Sequence, residues 1–295
     1  MDVLSDAITA MRTGRPHSGL RRLRTPWSAD FPASDGAGFH IVLTGACWFT
    51  PVKGHPVMLG PGDAVFLPRE PGHRLASVPR REPGTNTDAA SASPGSDPEA
   101  ILLCGSYQLD GSRTHLLWTS LPSFMHFPAR IGSATPLRAA IDLLGAELAA
   151  AKPGADAMIP ALLDALLVCM VRHWIETDAE PHGSGWSSAI RDPALTAALT
   201  AMHEAPAKAW TVHELARAAG MARSSFSERF AQTLGQAPIA YLTWWRMTIA
   251  AKRLKDTDAP IAAVARQVGY ASEFAFAKAF KRELGTAPGA YRRSR

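Results

Sequence analysis

The chain has 295 residues, 46% of them hydrophobic and 19% charged, with a formal net charge of +5. That length allows two domains, and that apolar content allows real cores. The opening "MDVLSDAITAMRTGR" has an early acid, no long apolar core and no small-residue cleavage pattern, so no signal peptide is expected. The longest apolar stretch, "MIPALLDALLVCMV", is broken by Pro160 and Asp164 and reads as too short to span a bilayer. Three cysteines, Cys47, Cys104 and Cys169, form no CxxC pair and cannot all pair within one chain, which fits a reducing cytosol. A soluble cytoplasmic protein is expected. Charge is unevenly spread. Residues 191–295 hold sixteen Lys/Arg against eight Asp/Glu, whereas residues 1–190 hold fifteen against eighteen. A basic back half suits a polyanionic partner.

Residues 1–12 read as a short amphipathic helix. Residues 38–75 carry short β-rich runs punctuated by Gly and Pro, "GFHIVLTGACWFTP" and "HPVMLGPGDAVFLP", which predict antiparallel strands. Residues 79–100 are poor in apolar residues and rich in Pro, Gly, Ser and Asp, the composition of a disordered loop. "ILLCGSYQL" resumes a strand. From about 136 apolar residues recur every three or four positions, predicting helices through 176. Residues 178–188 read as a linker. After Asp192-Pro193 the chain reads as helix to the end, with turns at Gly220, Gly235, Gly269 and Gly285.

The last hundred residues contain an internal repeat. Val212, Leu215, Ala216 and Gly220 recur 49 residues later as Ile261, Val264, Ala265 and Gly269. Phe226, Phe230, Gly235, Pro238 and Tyr241 recur 50 residues later as Phe276, Phe280, Gly285, Pro288 and Tyr291. One residue is inserted after the second turn glycine. Each copy predicts a short helix with a small Ala where its partner crosses, a glycine turn, and a second helix burying an i,i+4 phenylalanine pair. That is a helix-turn-helix, whose second helix enters the DNA major groove. Two copies are too few for a helical solenoid. Between them, Tyr241, Leu242, Trp245, Ile249 and Leu254 fall near one face of one continuous helix, a rigid spacer between two readers. Trp244 and Trp245 read as packing residues. Arg246 suits a phosphate or a carboxylate.

Residues 191–294, carrying "LARAAGMARSSFSERFAQTLGQAPIAYL" and "AAVARQVGYASEFAFAKAFKRELGTAPGAYRR", resemble the DNA-binding domain of the AraC/XylS family of bacterial transcription regulators. The resemblance implies promoter binding by two helix-turn-helix units. It puts base contacts on Ser224, Ser227 and Glu228 of the first reading helix, and on Glu273, Phe274, Ala277 and Lys278 of the second. Ser272, a polar residue of groove size on the free side of the same helix-turn-helix, is expected at the DNA as well. Arg223 and Lys281 suit phosphate, which positions without specifying. Glu228 suits cytosine N4 and Phe274 a thymine methyl. Ala277 reaches no more than a methyl, so shape readout contributes to the second helix.

Upstream, "LGPGDAVFLPREPGHRL" places Gly62, Asp63, Pro68 and His73 as in the second cupin motif, with Glu70 where that family usually has Gly. Residues 1–130 thus resemble a cupin-type regulatory domain. The HxH pair of metal-dependent cupin enzymes is absent from the sequence. His40, Cys47, His73 and Cys104 all fall in expected barrel strands or their ends. They suit Zn²⁺ or a related ion, a Cys47–Cys104 redox pair, or plain packing.

The expected fold is α+β: a cupin-like β-barrel with flanking helices (1–130), a helical dimerisation segment (131–177), a linker (178–190) and an all-α DNA-binding domain (191–295). The expected partners are double-stranded promoter DNA, RNA polymerase, a second copy of the chain and an effector, with no membrane. A regulator that is not an enzyme is expected. The rival is a cupin-type enzyme with an accessory DNA-binding tail.

Overall fold

The computed structural model describes residues 2–11, 14–79, 99–108, 116–129, 135–150, 152–177 and 185–294. These residues group into two units, 13–111 with 121–177, and 1–12 with 112–120 and 178–295. The expected loop at 79–100 and the start of the expected linker lie mostly outside the described residues.

Among the described residues the first unit holds nine strands: β1 (His17–Leu23), β2 (Ser28–Phe31), β3 (Ala37–Thr44), β4 (Cys47–Pro51), β5 (Val57–Leu59), β6 (Ala64–Leu67), β7 (His73–Ala76), β8 (Ala100–Tyr107) and β9 (Met125–Phe127). They form two open antiparallel sheets, ordered β1-β8-β3-β6-β9 and β2-β7-β4-β5, rather than a closed barrel. Leu23, Val42, Phe49, Leu75 and Leu102 fill the space between the sheets. Helix α3 (Pro136–Ala150) and helix α4 (Ala155–Thr177) cover the outer face of the larger sheet. There the Tyr107 hydroxyl donates to Leu163 O at 2.7 Å, and Leu43 lies 3.4 Å from where a Cβ on Gly145 would stand. Strands covered on both faces lose the apolar–polar alternation, which is why residues 37–42 of β3 and all of β6 are buried. Helix α4 has 23 residues, and an 18-residue window of it has a mean hydropathy of 1.6, so it is long and apolar enough to cross a membrane by length and composition. The expectation that this stretch is too short therefore fails on length. Leu163, Leu166, Leu167, Met170 and Val171 along it are buried in this unit.

Among the described residues the second unit is all helical. It comprises α1 (Val3–Met11), α2 (Leu116–Ser120), α5 (Trp186–Arg191), α6 (Pro193–Glu204), α7 (Val212–Ala218), α8 (Arg223–Leu234), α9 (Pro238–Asp256), α10 (Ile261–Gln267), α11 (Glu273–Leu284) and α12 (Pro288–Arg293). Residues 186–188, expected in the linker, begin α5, because Trp186 and Ala189 are buried against α6 and α8. Sequence order would leave α1 with the sheets, but it packs on α6 and α9. It buries Val3, Leu4, Ala7, Ile8 and Met11, and sets Asp6 Oδ2 3.4 Å from His203 Nδ1. His203 stacks on Trp245 at 4.0 Å, and its Nε2 is 2.8 Å from the Tyr241 hydroxyl.

Helix starts follow their sequence signals. Asp192 caps α6 by accepting from Ala194 N–H, and Thr211 with Glu214 forms a capping box on α7. Replacing Asp192 with Ala should cost about 1 kcal/mol from the lost cap. The loss should exceed that because Asp192 also receives Arg229 at 2.7 Å, and urea unfolding of the full chain measures it.

Candidate nucleic-acid interface

The two repeat copies fold as two helix-turn-helix units, α7–α8 and α10–α11. Gly220 and Gly269 sit at the turns with φ of 65° and 85°, in the left-handed region a side chain disfavours. A Cβ on Gly269 would also lie 2.5 Å from Ala207 O, so this turn needs glycine twice over. The inserted residue lengthens the second turn and leaves both helix pairs intact.

The reading helices are anchored by their phenylalanines. Phe226 and Phe230 are fully buried with ring centroids 5.5 Å apart, and so are Phe276 and Phe280. Spaced one turn apart on the inner face, they fix which residues face outward. On α8 those are Arg223, Ser224 and Glu228, with Ser227 half-buried. On α11 they are Glu273, Phe274, Lys278 and Lys281, with Ala277 half-buried. All the expected base- and phosphate-contacting side chains except Ser272 thus lie on the outward-facing parts of the two helices. Phe274 is 81% exposed, although an aromatic ring gains most by burial. The Gln232 side-chain amide donates to Glu228 Oε1 at 3.1 Å and holds that carboxylate in place.

Ser272 serves the helix itself. Its hydroxyl caps α11, accepting from Ala275 N–H at 3.4 Å. Arg246 is engaged within the chain by two backbone carbonyls. Its Nε and Nη2 donate to Pro206 O and Lys208 O at 2.6 and 2.7 Å, tying α9 to the α6–α7 loop. Trp245 is buried and Trp244 half-buried beside it, as packing residues.

Inside the sheet unit, His40 and His73 meet across the two sheets with their Nε2 atoms 2.7 Å apart. Phe31 stacks on His73 at 4.7 Å and lies 4.6 Å from His40. The four expected ligands do not converge as a set. Cys104 is directly opposite His40 in the β3–β8 ladder, whereas Cys47 packs in the core of the sandwich. Among the described residues no three His, Cys, Asp or Glu side chains are placed to hold a metal ion. Two imidazoles leave a zinc site short of ligands, so this donor set does not fit that ion. Cys47 and Cys104 are free thiols. Burial pushes each up to about 12, which leaves almost no thiolate at neutral pH to attack an oxidant. Sequence reasoning missed β1 and β2, whose Arg21 and Phe31 border the histidines. In β1 no apolar–polar alternation marks the strand, because only Leu23 of it is buried.

A cupin family model matches residues 2–176 and a helix-turn-helix domain model matches residues 215–294. A putative AraC-like transcription regulator of Streptomyces antibioticus is 34% identical over 99% of both chains. This chain belongs to the AraC-like family of transcription regulators. The RCS-specific HTH-type transcriptional activator RclR of Escherichia coli is 34% identical over 90% of this chain and 89% of its own. The regulator AlkR of Acinetobacter baylyi is 28% identical over 99% of both chains. As a family member, the chain is a DNA-binding transcription regulator with a cupin-like N-terminal region, and its relatives are regulators rather than enzymes.

Burial separates the phenylalanines of this regulator by role. Phe276→Ala should destabilise it by about 3–5 kcal/mol through the cavity left behind. Phe274→Ala should leave the calorimetric midpoint unchanged. Burial, foremost, also holds the His40 and His73 pKa values below the usual 6.5, so the folded chain binds fewer protons than the unfolded chain in that window. Their contribution is complete above about pH 6.5 and is lost as pH falls toward the folded values. The midpoint should drop between pH 7.5 and 5.5, and His40→Phe should shrink that drop in a calorimetric series.

Proposed function

We propose that this regulator reads promoter DNA by laying α8 and α11 in two successive major-groove segments, with bases read by Ser224, Ser227 and Glu228 and by Glu273, Phe274, Ala277 and Lys278. The observation that carries this reading is α9. One uninterrupted 19-residue helix joins the two units, and its length of about 28 Å approaches one turn of B-DNA. Arg223 and Lys281 hold phosphates and set register. Glu228 accepts from cytosine, and the solvated ring of Phe274 covers a thymine methyl.

The sheet unit takes a signal and the DNA-binding unit answers it, in the cytoplasm where promoter DNA lies. The chain acts as a homodimer. Support comes from α3 and α4, where the apolar Leu143 and Met158 stand 47% and 43% exposed. Contact with RNA polymerase follows from the activator role named for the Escherichia coli relative.

In a binding-site selection, Glu228→Ala should relax preference at one position by about 1–3 kcal/mol. Lys281→Ala should instead weaken all sequences alike and reduce the salt slope by about one. An unchanged preferred operator for Glu228→Ala would refute its base-reading role. Leu143→Glu with Met158→Glu should give a monomeric mass in light scattering where the parent chain gives a dimer.

A further inference from the structure

The two turn glycines of the repeat share a positive φ but not their surroundings. A Cβ on Gly220 would meet nothing within 4 Å. A Cβ on Gly269 would stand 2.5 Å from Ala207 O, 2.9 Å from Ala207 Cα and 3.0 Å from Ala207 C. A helix-turn-helix by itself therefore does not need so close an approach. The second turn is pressed against the loop between α6 and α7, and that loop leads into the first helix-turn-helix.

Arg246 of α9 closes the same junction. The two carbonyls it holds, of Pro206 and Lys208, flank Ala207, the residue that meets Gly269. Its guanidinium carbon also lies 6.0 Å from the centroid of the Tyr270 ring, next in chain to that glycine. Tyr270 in turn meets Phe276, the buried anchor of α11, edge-on at 5.8 Å. One planar fork thus ties a loop of the first unit to the ring that packs on the second reading helix.

The loop passes this tie on to the first unit. Ala205 O accepts from Lys208 N–H at 3.1 Å and from the Trp210 indole N–H at 3.0 Å. Lys208 Nζ lies 3.6 Å over the Trp210 ring and 3.1 Å from Glu214 Oε1. Glu214 closes the capping box at the start of α7. Hydrogen bonds and an ion pair therefore run from the second turn to the first helix of the first unit.

Helix α9 sets how far apart the readers stand. It does less to set their rotation, since a unit packed on one helix can roll about its axis, and helix crossing angles scatter by about 15–20°. A second contact, off that axis, stops the roll. Rotation matters on DNA, where one base pair turns the groove by roughly 35°.

We propose that Arg246, Gly269 and the loop from Pro206 to Lys208 form a clasp that fixes the rotation of α11 relative to α8, and so sets the spacing between half-sites that this regulator accepts. Arg246 is then a positioning residue: it specifies a distance along the operator and contacts no base. This rests on the reading of α8 and α11 as lying in two successive major-groove segments. Holding both readers in register before DNA arrives removes an ordering cost from the operator of matching spacing alone.

A spacing series tests it. The probe is the tightest duplex that the full chain selects from a random pool of about 30 base pairs, three helical turns. Footprinting locates its two half-sites, and the duplex is remade with one base pair inserted or removed between them. The parent chain should bind the remade duplexes about tenfold or more weakly. Arg246→Ala should weaken binding to the selected duplex most, so that this ratio shrinks to about threefold or less. Gly269→Ala, which drives the loop away, should shrink it too. Arg246→Lys keeps the charge and one donor. It should give an intermediate ratio, and it serves where the alanine variant fails to fold. Asp192→Ala, at the opposite end of α6 from the loop, loosens the fold without touching the clasp and should keep the parent's ratio. If the Arg246 variants weaken all duplexes alike and keep the parent's ratio, the clasp is overturned and the two-groove reading stands. If the parent chain binds every spacing equally, the two-groove reading sinks and takes the clasp with it.

Discussion

The DNA-reading half depends on one packing constraint, the burial of two phenylalanine pairs on the inner faces of α8 and α11. Each pair is one helical turn apart, so burying both rings leaves the helix a single rotational setting. Every other property of the surface follows from that setting. It turns Ser224 and Glu228 outward on one helix, and Glu273, Phe274 and Lys278 on the other. It also brings Tyr241 and Tyr291 edge-on to Phe230 and Phe280, so the helix after each reader is held by the same cluster. The chain repeats this solution 50 residues apart and joins the copies with α9. The C-terminal half of α9, from Met247 to Leu254, belongs to the core of the second unit. The spacer is thus part of the core it spaces, and a rigid separation between readers needs no further device.

The sheet unit works by the opposite principle. Its described core is largely apolar but holds two histidines placed across the gap between the sheets, linked in sequence: carbonyl, His73, His40. A chain of hydrogen bonds that starts at a carbonyl has a fixed proton order and ends in an acceptor. The cysteines nearby are poor thiolates for the same reason that the histidines are neutral, since burial penalises charge. Among its described residues the cupin-like unit therefore keeps a histidine pair in an apolar interior, without a metal donor set.

Much of this was legible in the sequence. The repeat gave the two helix pairs, the glycine turns and the inward phenylalanines, because 3.6-residue periodicity and turn glycines are local signals. The composition of residues 38–75 gave the strands β3 to β7 in outline. His40 and His73 were marked individually by their place near strand ends. Strand β1 stayed hidden, because "HSGLRRL" is polar and its burial is confined to Leu23. Ser272 was read as a groove residue and Arg246 as a partner for phosphate or carboxylate. Within the chain, Ser272 accepts from a backbone N–H three residues on and Arg246 donates to two carbonyls about forty residues back, bonds that only coordinates reveal.

The sequence by itself determined the family, the two-part α+β plan and the faces of the reading helices, since each rests on spacing within a few turns of chain. Tertiary structure alone decided three things. It left the sheets open instead of closed, because strand partners are chosen across long separations. It grouped α1 with the C-terminal helices, because an apolar stripe carries no address for the surface that will bury it. It also set His40 against His73, 33 residues apart, and so fixed which nitrogen is left bare. Phe274 shows the boundary between the two. Spacing alone took it off the buried face, but only the folded helix shows how fully its ring stands in solvent.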